Sequence, residues 1–274
     1  MEIWQAIVLG IIEGVTEFLP VSSTGHLTIA EELFGMQIDD PAVTGYTAVI
    51  QVGSIAAAFV YFWRDIVRLA RSWLRGLVSA EARQAPDYRF AWCVIAGSLP
   101  IGIVGLAGED IIEGPLRNLW VVAAALILWS PVLVLAERLG RQKLGEGDLT
   151  LRDALTIGLA QCLALIPGVS RSGATISAGL LRGYDRVTAT RLAFFLAIPA
   201  LTAAGAFQLP AALSDISITH VLVGAATSFV VAYVAIAWLL RFVAGHSLLT
   251  FVWYRIGLGA LIIALLATGT INAT

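Results

Sequence analysis

Residues 11–26 read IIEGVTEFLPVSSTGH, so two carboxylates, a proline, three consecutive hydroxyls at 22–24 and an imidazole interrupt an otherwise oily N-terminus. A helix that starts before Glu13 does not run unbroken past Pro20, because proline lacks the N–H of the helical ladder and restricts the residue before it. Ser22, Ser23 and Thr24 are suited to cap a second helix beginning near His26. The stretch therefore reads as helix, break, helix.

Composition fixes the solvent in which such a break must survive. Hydrophobic residues make up 58% of the 274 positions and charged residues 13%, well away from the balance of a soluble domain, so the chain reads as a single integral membrane domain over 1–274. The net charge of −2 resides mostly in a few short loops and suggests no nucleic-acid partner. Cys93 and Cys162 lack metal-ligand spacing and read as small core residues. The N-terminus has no basic region before its apolar run and carries Glu2, which argues against a cleaved signal peptide.

Six apolar runs are long enough to span a bilayer, near 42–63, 90–108, 118–136, 190–210, 219–240 and 248–269. Residues 3–33 and 152–182 are instead broken by proline, glycine and hydroxyls. Lipid offers no partners to backbone freed at a break, so both read as re-entrant helical hairpins. Arginines and a lysine fill the segments 64–89, 138–152 and 182–191, whereas 109–117 holds three acids and one arginine. Positive residues favour the cytoplasmic side, which puts the three basic segments inside, both termini outside, and the two hairpins entering from opposite faces. RDIVRLARSWLRGLV (64–78) spaces its arginines four, three and four apart and reads as an amphipathic helix on the inner surface.

Sliding the chain by 148 positions lays 9–25 over 157–173 without gaps; Gly10, Val21, Ser22 and Gly25 meet Gly158, Val169, Ser170 and Gly173, and Glu13 meets Gln161. Each copy precedes three spans, an odd number, so the halves (about 1–140 and 150–274) have opposite orientation. The fold class expected is all-α and polytopic, with six transmembrane helices, two re-entrant hairpins and an inverted-topology repeat. Such folds build their site where two broken helices meet near the midplane.

Glu13 and Glu17 share a helix face, and one acid at bilayer depth costs roughly 2.5 to 3.5 kcal/mol on insertion scales. They suit a divalent cation held by hard oxygens, or general base work; a structural pair sharing a proton is the plainer alternative. With Gly25 opening the backbone, the N–H groups after Ser22–Thr24 form an anion site. His26, three positions after Ser23 and close to two carboxylates, suits a nucleophile-and-base pair, with a satisfied buried imidazole as the plainer alternative. The second break, PGVSRSGAT (167–175), supplies Ser170, Arg171 and Ser172. A guanidinium flanked by serines grips phosphate oxygens, though an ion pair with Glu13 or Glu17 would also explain Arg171. Arg255 sits close to the cytoplasmic end of the last span, where snorkelling accounts for it. Gln51 and Ser54 either line the cavity or bond between helices.

EGVTEFLPVSSTGH and PGVSRSGATIS resemble the two signatures of the bacterial undecaprenyl-diphosphate phosphatase family, also called the bacitracin-resistance protein family. IQVGSIAAAFVYFW and FFLAIPA resemble further family segments, so the likeness covers nearly the whole chain. It implies release of the terminal phosphate from a C55 polyprenyl diphosphate lipid in the bacterial plasma membrane, with a pocket open to the outer side. Bacitracin resistance on overproduction is implied as well, because that antibiotic sequesters the diphosphate.

The resemblance carries functional roles to Glu13, Glu17, Ser23, His26, Ser170 and Arg171, with Thr24 nearby, and implies a divalent cation, magnesium or calcium. The mechanism expected has Arg171, Ser170, Ser172, Ser22, Thr24 and backbone amides holding the diphosphate, Glu13 and Glu17 positioning the cation, and Ser23 attacking phosphorus. His26 or a glutamate takes the proton, and His26 as nucleophile is the competitor. A lipid transporter and an intramembrane serine protease are the other classes these residues allow, although a protease leaves Arg171 and both glutamates without a role. A homodimer stays open.

Overall fold

The computed structural model describes residues 1–37, 41–215 and 217–273, and among these it is helical with no β-strand. In chain order the helices are α1 (Ile3–Thr16), α2 (Ser23–Leu33), α3 (Pro41–Tyr61), α4 (Trp63–Val78), α5 (Pro86–Ala107), α6 (Glu109–Glu113), α7 (Leu119–Leu139), α8 (Leu151–Gln161), α9 (Arg171–Leu181), α10 (Arg186–Asp215), α11 (Ile218–Gly245) and α12 (Leu249–Ala267). Five of them, α5, α7, α10, α11 and α12, are long and apolar enough to cross a membrane. A sixth span exists if α3 and α4, which meet at a 73° bend, are counted together. Large apolar side chains such as Leu128, Ile103 and Val234 stand exposed on the outer faces, as a lipid-facing surface requires. The chain is a multi-pass membrane protein.

Lipid tails are as apolar as the helices, so close packing and small residues hold a membrane bundle together. Glycine provides the closest approaches here. A Cβ on Gly10 of α1 would come within 2.6 Å of the Gly224 carbonyl oxygen of α11, and one on Gly158 of α8 within 2.1 Å of the Gly97 carbonyl oxygen of α5. These crossings press the two broken segments, α1–α2 and α8–α9, against long helices. Between them lies a core of interlocked rings, with Phe18 against Phe194 and Phe62 and Phe90 against Phe195. Gly158→Ala forces backbone apart rather than a flexible side chain, and overpacking of this kind costs about 1–3 kcal/mol. Its thermal unfolding midpoint in detergent is expected to fall below that of the parent.

The basic segments gather at one end of the bundle. Arg191 pairs with Asp65 of α4 and with Glu146 in the α7–α8 connection. Arg186 bonds Glu137 at the end of α7, Arg182 bonds Asp153 in the first turn of α8, and Arg89 reaches the Gly147 carbonyl. Arg255 does not belong to this end. It is fully buried in the interior, so the snorkelling expected of it is wrong.

Candidate active site

Both breaks end in the same local structure. After α1 the chain turns through Pro20 and restarts at Ser23; after α8 it passes Pro167 and restarts at Arg171. The residue before each restart, Ser22 and Ser170, has positive φ, 73° and 77°. For a non-glycine residue such backbone costs on the order of 1–3 kcal/mol and persists only where its surroundings hold it. The serine hydroxyl supplies part of that hold by accepting the N–H three residues on, from Gly25 at 3.4 Å and from Gly173 at 3.2 Å.

The two breaks touch. Ser22 Oγ also accepts the N–H of Gly168 at 3.2 Å, and Ser172 Oγ donates to the Leu19 carbonyl at 2.8 Å, with Ser170 Oγ 3.4 Å from the same oxygen. These three hydroxyls therefore stitch one break to the other. Gly168, with φ of 98°, lies so close to α7 that a Cβ would stand 2.5 Å from the Val122 carbonyl oxygen. Arg255 closes the junction from α12, donating to the carbonyls of Pro20 at 3.1 Å, Gly168 at 2.9 Å and Ala125 at 3.4 Å. One guanidinium thus holds carbonyls from both breaks and from α7. The signal for it was a charged side chain inside an apolar run, a functional mark by default in a membrane.

A small pocket opens at this junction, lined by Glu17, Ser22, Ser23, Thr24, Ser170 and Arg171 together with Pro167 and Gly168. Ser23 Oγ donates to Glu17 Oε2 at 2.5 Å, and Arg171 donates to Glu17 Oε1 at 3.1 Å. Gln51 of α3 adds a 3.4 Å contact to Oε2. Glu17 is buried, Arg171 is 23% exposed at its side chain, and Thr24 is exposed. Glu13, one turn back, is buried with Oε1 unpartnered, within interaction distance of Glu17, Arg171 and Ser54. Ser54 itself bonds Ser228 of α11 at 2.7 Å, so on α3 Gln51 reaches the pocket carboxylate and Ser54 ties helices together.

His26 is placed differently from Ser23. Its Nδ1 lies 2.7 Å from the Ser22 carbonyl and its Nε2 2.6 Å from the Tyr254 hydroxyl. A carbonyl only accepts, so Nδ1 carries the proton and Nε2 receives the Tyr254 O–H when the ring is neutral. Both nitrogens are engaged, and neither on Ser23. The base that touches the Ser23 hydroxyl is Glu17. Tyr254, 228 positions from His26, had no signal in sequence spacing.

The fold and this pocket define a polytopic membrane protein whose carboxylate, serine and arginine converge where two helix breaks meet. Residues 6–261 match the family model described as bacitracin resistance protein BacA, and the chain belongs to that family. It is 57% identical over 98% of both chains to a protein of Acidothermus cellulolyticus named undecaprenyl-diphosphatase. It is 55% identical, over the full length of both, to undecaprenyl-diphosphatase 3 of Frankia casuarinae. A third relative, the undecaprenyl-diphosphatase of Mycobacterium marinum, is 50% identical over 100% of this chain and 98% of its own.

Proposed function

We propose that this chain hydrolyses undecaprenyl diphosphate to undecaprenyl phosphate and inorganic phosphate, returning the lipid carrier to peptidoglycan synthesis and conferring bacitracin resistance. The observation that carries the reading is the line Ser23–Glu17–Arg171, a nucleophile bonded to a buried carboxylate that is itself held by a guanidinium. The names of the relatives supply the substrate. The matched breaks at Ser22 and Ser170 support reading the halves as inverted repeats. With the basic end in the cytoplasm, the pocket opens toward the outer side of the plasma membrane. Each chain carries both breaks, so a homodimer would hold two complete sites.

The resting pocket has about 30 Å³ of free space, room for about one water molecule. A diphosphate enters only as Arg171 leaves Glu17 for the phosphate oxygens, which it grips in bidentate fashion. That exchange frees Glu17 to take the Ser23 proton. Ser23 Oγ then bonds to the terminal phosphorus, the bond from phosphorus to the bridging oxygen breaks, and its electron pair leaves with undecaprenyl phosphate. Glu17 passes its proton to the departing phosphate and, a carboxylate again, takes one from water, whose oxygen bonds to the phosphoserine phosphorus; the bond from phosphorus to Ser23 Oγ breaks, the proton returns from Glu17 to Oγ, and phosphate leaves. The leaving group is an anion, so charge neutralisation by Arg171 and by N–H groups of the α2 and α9 first turns matters more than proton donation.

A divalent ion fits the donor set. Glu13 and Glu17 are hard oxygen ligands of the kind magnesium and calcium take, and Glu13 Oε1 is buried without another partner. Bound there, the ion would neutralise charge on the diphosphate.

Labelled diphosphate lipid, quenched during turnover, is expected to leave phosphate on Ser23; label on His26 would transfer the nucleophile to the imidazole, and label on neither would mean direct attack by water. Purified protein that binds the lipid but never releases phosphate would point to transport.

A further inference from the structure

At the basic end Arg68, Arg83, Arg89, Arg182, Arg186 and Arg191 have side-chain partners, whereas three arginines on one helix, α4, have none. Arg64, Arg71 and Arg75 carry no side-chain hydrogen bond or ion pair among the described residues. With Arg68 they fall four, three and four positions apart and share one helix face. That face borders a groove of about 650 Å³, lined by all four arginines and only one carboxylate, Asp87, with Trp63 and Val67 alongside.

The groove has built walls. Arg68 is held by Asp65 at 3.1 Å and by Asp87. The turn opposite is fixed by Arg83, whose Nε donates to the Gly76 carbonyl at 2.8 Å. Gly76 lies against Tyr88 so closely that a Cβ would stand 2.2 Å from the ring. The flanks of α4 are apolar and bare, with Trp63, Leu74 and Leu77 all exposed. A helix with arginines on one face and such residues beside them lies in the plane of the headgroups.

We infer that this groove binds the headgroup of an anionic glycerophospholipid of the inner leaflet. Free guanidiniums in excess of carboxylate attract phosphate, which each can grip with two N–H groups. A zwitterionic headgroup would set its own ammonium among the arginines. A free phosphate would leave Trp63, Leu74 and Leu77 uncovered, whereas acyl chains cover them. The site lies outside the catalytic pocket and does not depend on the activity proposed above.

The test is native mass spectrometry of the full chain in neutral detergent with phosphatidylglycerol, comparing the parent with Arg64→Gln/Arg71→Gln/Arg75→Gln. Phosphatidylglycerol adducts are expected on the parent, with affinity on the order of a hundredfold weaker in the triple variant, since each basic residue near a membrane surface contributes about fivefold. Diphosphate hydrolysis in the same detergent stays unchanged and reports folding. If the triple variant does not fold, the exposed single change Arg71→Glu is expected to weaken the adducts. Equal adducts on parent and variant, equal binding of phosphatidylcholine, or displacement of the lipid by glycerol 3-phosphate would each overturn the proposal, the last by pointing to a soluble anion.

Discussion

Glu17→Gln is expected to lower turnover about 10³-fold, the range in which positioned acid–base catalysis contributes, while the protein stays folded. Glutamine keeps the volume of the side chain and an oxygen for the Ser23 hydroxyl to meet, but it takes no proton and carries no charge to hold Arg171. Arg171 then stands free for substrate, so KM is expected to hold or fall as turnover drops. A loss confined to KM would remove Glu17 from proton transfer. Arg171→Lys is the matching change. It keeps the charge beside a buried carboxylate, which Arg171→Ala would strand at a cost of about 3–5 kcal/mol. It loses the two-pronged grip on phosphate, and turnover is expected to fall by about 10³-fold. The readout is phosphate release from labelled lipid, with thermal unfolding in detergent as the folding control.

The two breaks were legible because proline, glycine and consecutive hydroxyls inside apolar runs have few explanations in a membrane. Paired broken helices are expected to meet, and Ser22 and Leu19 do touch Gly168 and Ser172. What each hydroxyl does was not legible. Spacing offers Ser22, Ser170 and Ser172 equally to a phosphate, whereas the structure engages all three with backbone across the junction and leaves Ser23 on Glu17. Hydrogen-bond direction at a helix break depends on φ and ψ, which a motif does not carry. The His26–Tyr254 contact depends on tertiary packing alone. Depth along its span places Arg255 near the cytoplasmic end, yet a buried guanidinium goes where unpaired carbonyls are, and helix breaks create them.

Among the residues lining the pocket, the described hydrogen bonds of Arg255 reach Gly168, whose carbonyl it holds together with those of Pro20 and Ala125. Arg255 is a positioning residue, fixing the breaks that carry Glu17, Ser23 and Arg171. Arg255→Met leaves buried carbonyls unpaired at about 1–3 kcal/mol each, a large part of a stability of about 5–15 kcal/mol, and is expected to unfold at markedly lower temperature. Arg255→Lys separates positioning from stability. Its ammonium keeps the charge and bonds one or two of the carbonyls, but a point donor does not span three in the fork geometry of arginine. Turnover is expected to fall about 10²-fold, because displacements of about 1 Å in a reacting pair cost that much. KM is expected to stay close to the parent, and the unfolding midpoint to fall less than in Arg255→Met, in step with the carbonyls left unpaired. A purely structural Arg255 would lower the midpoint with turnover per folded molecule unchanged, and that pattern would detach the clasp from the chemistry at Ser23.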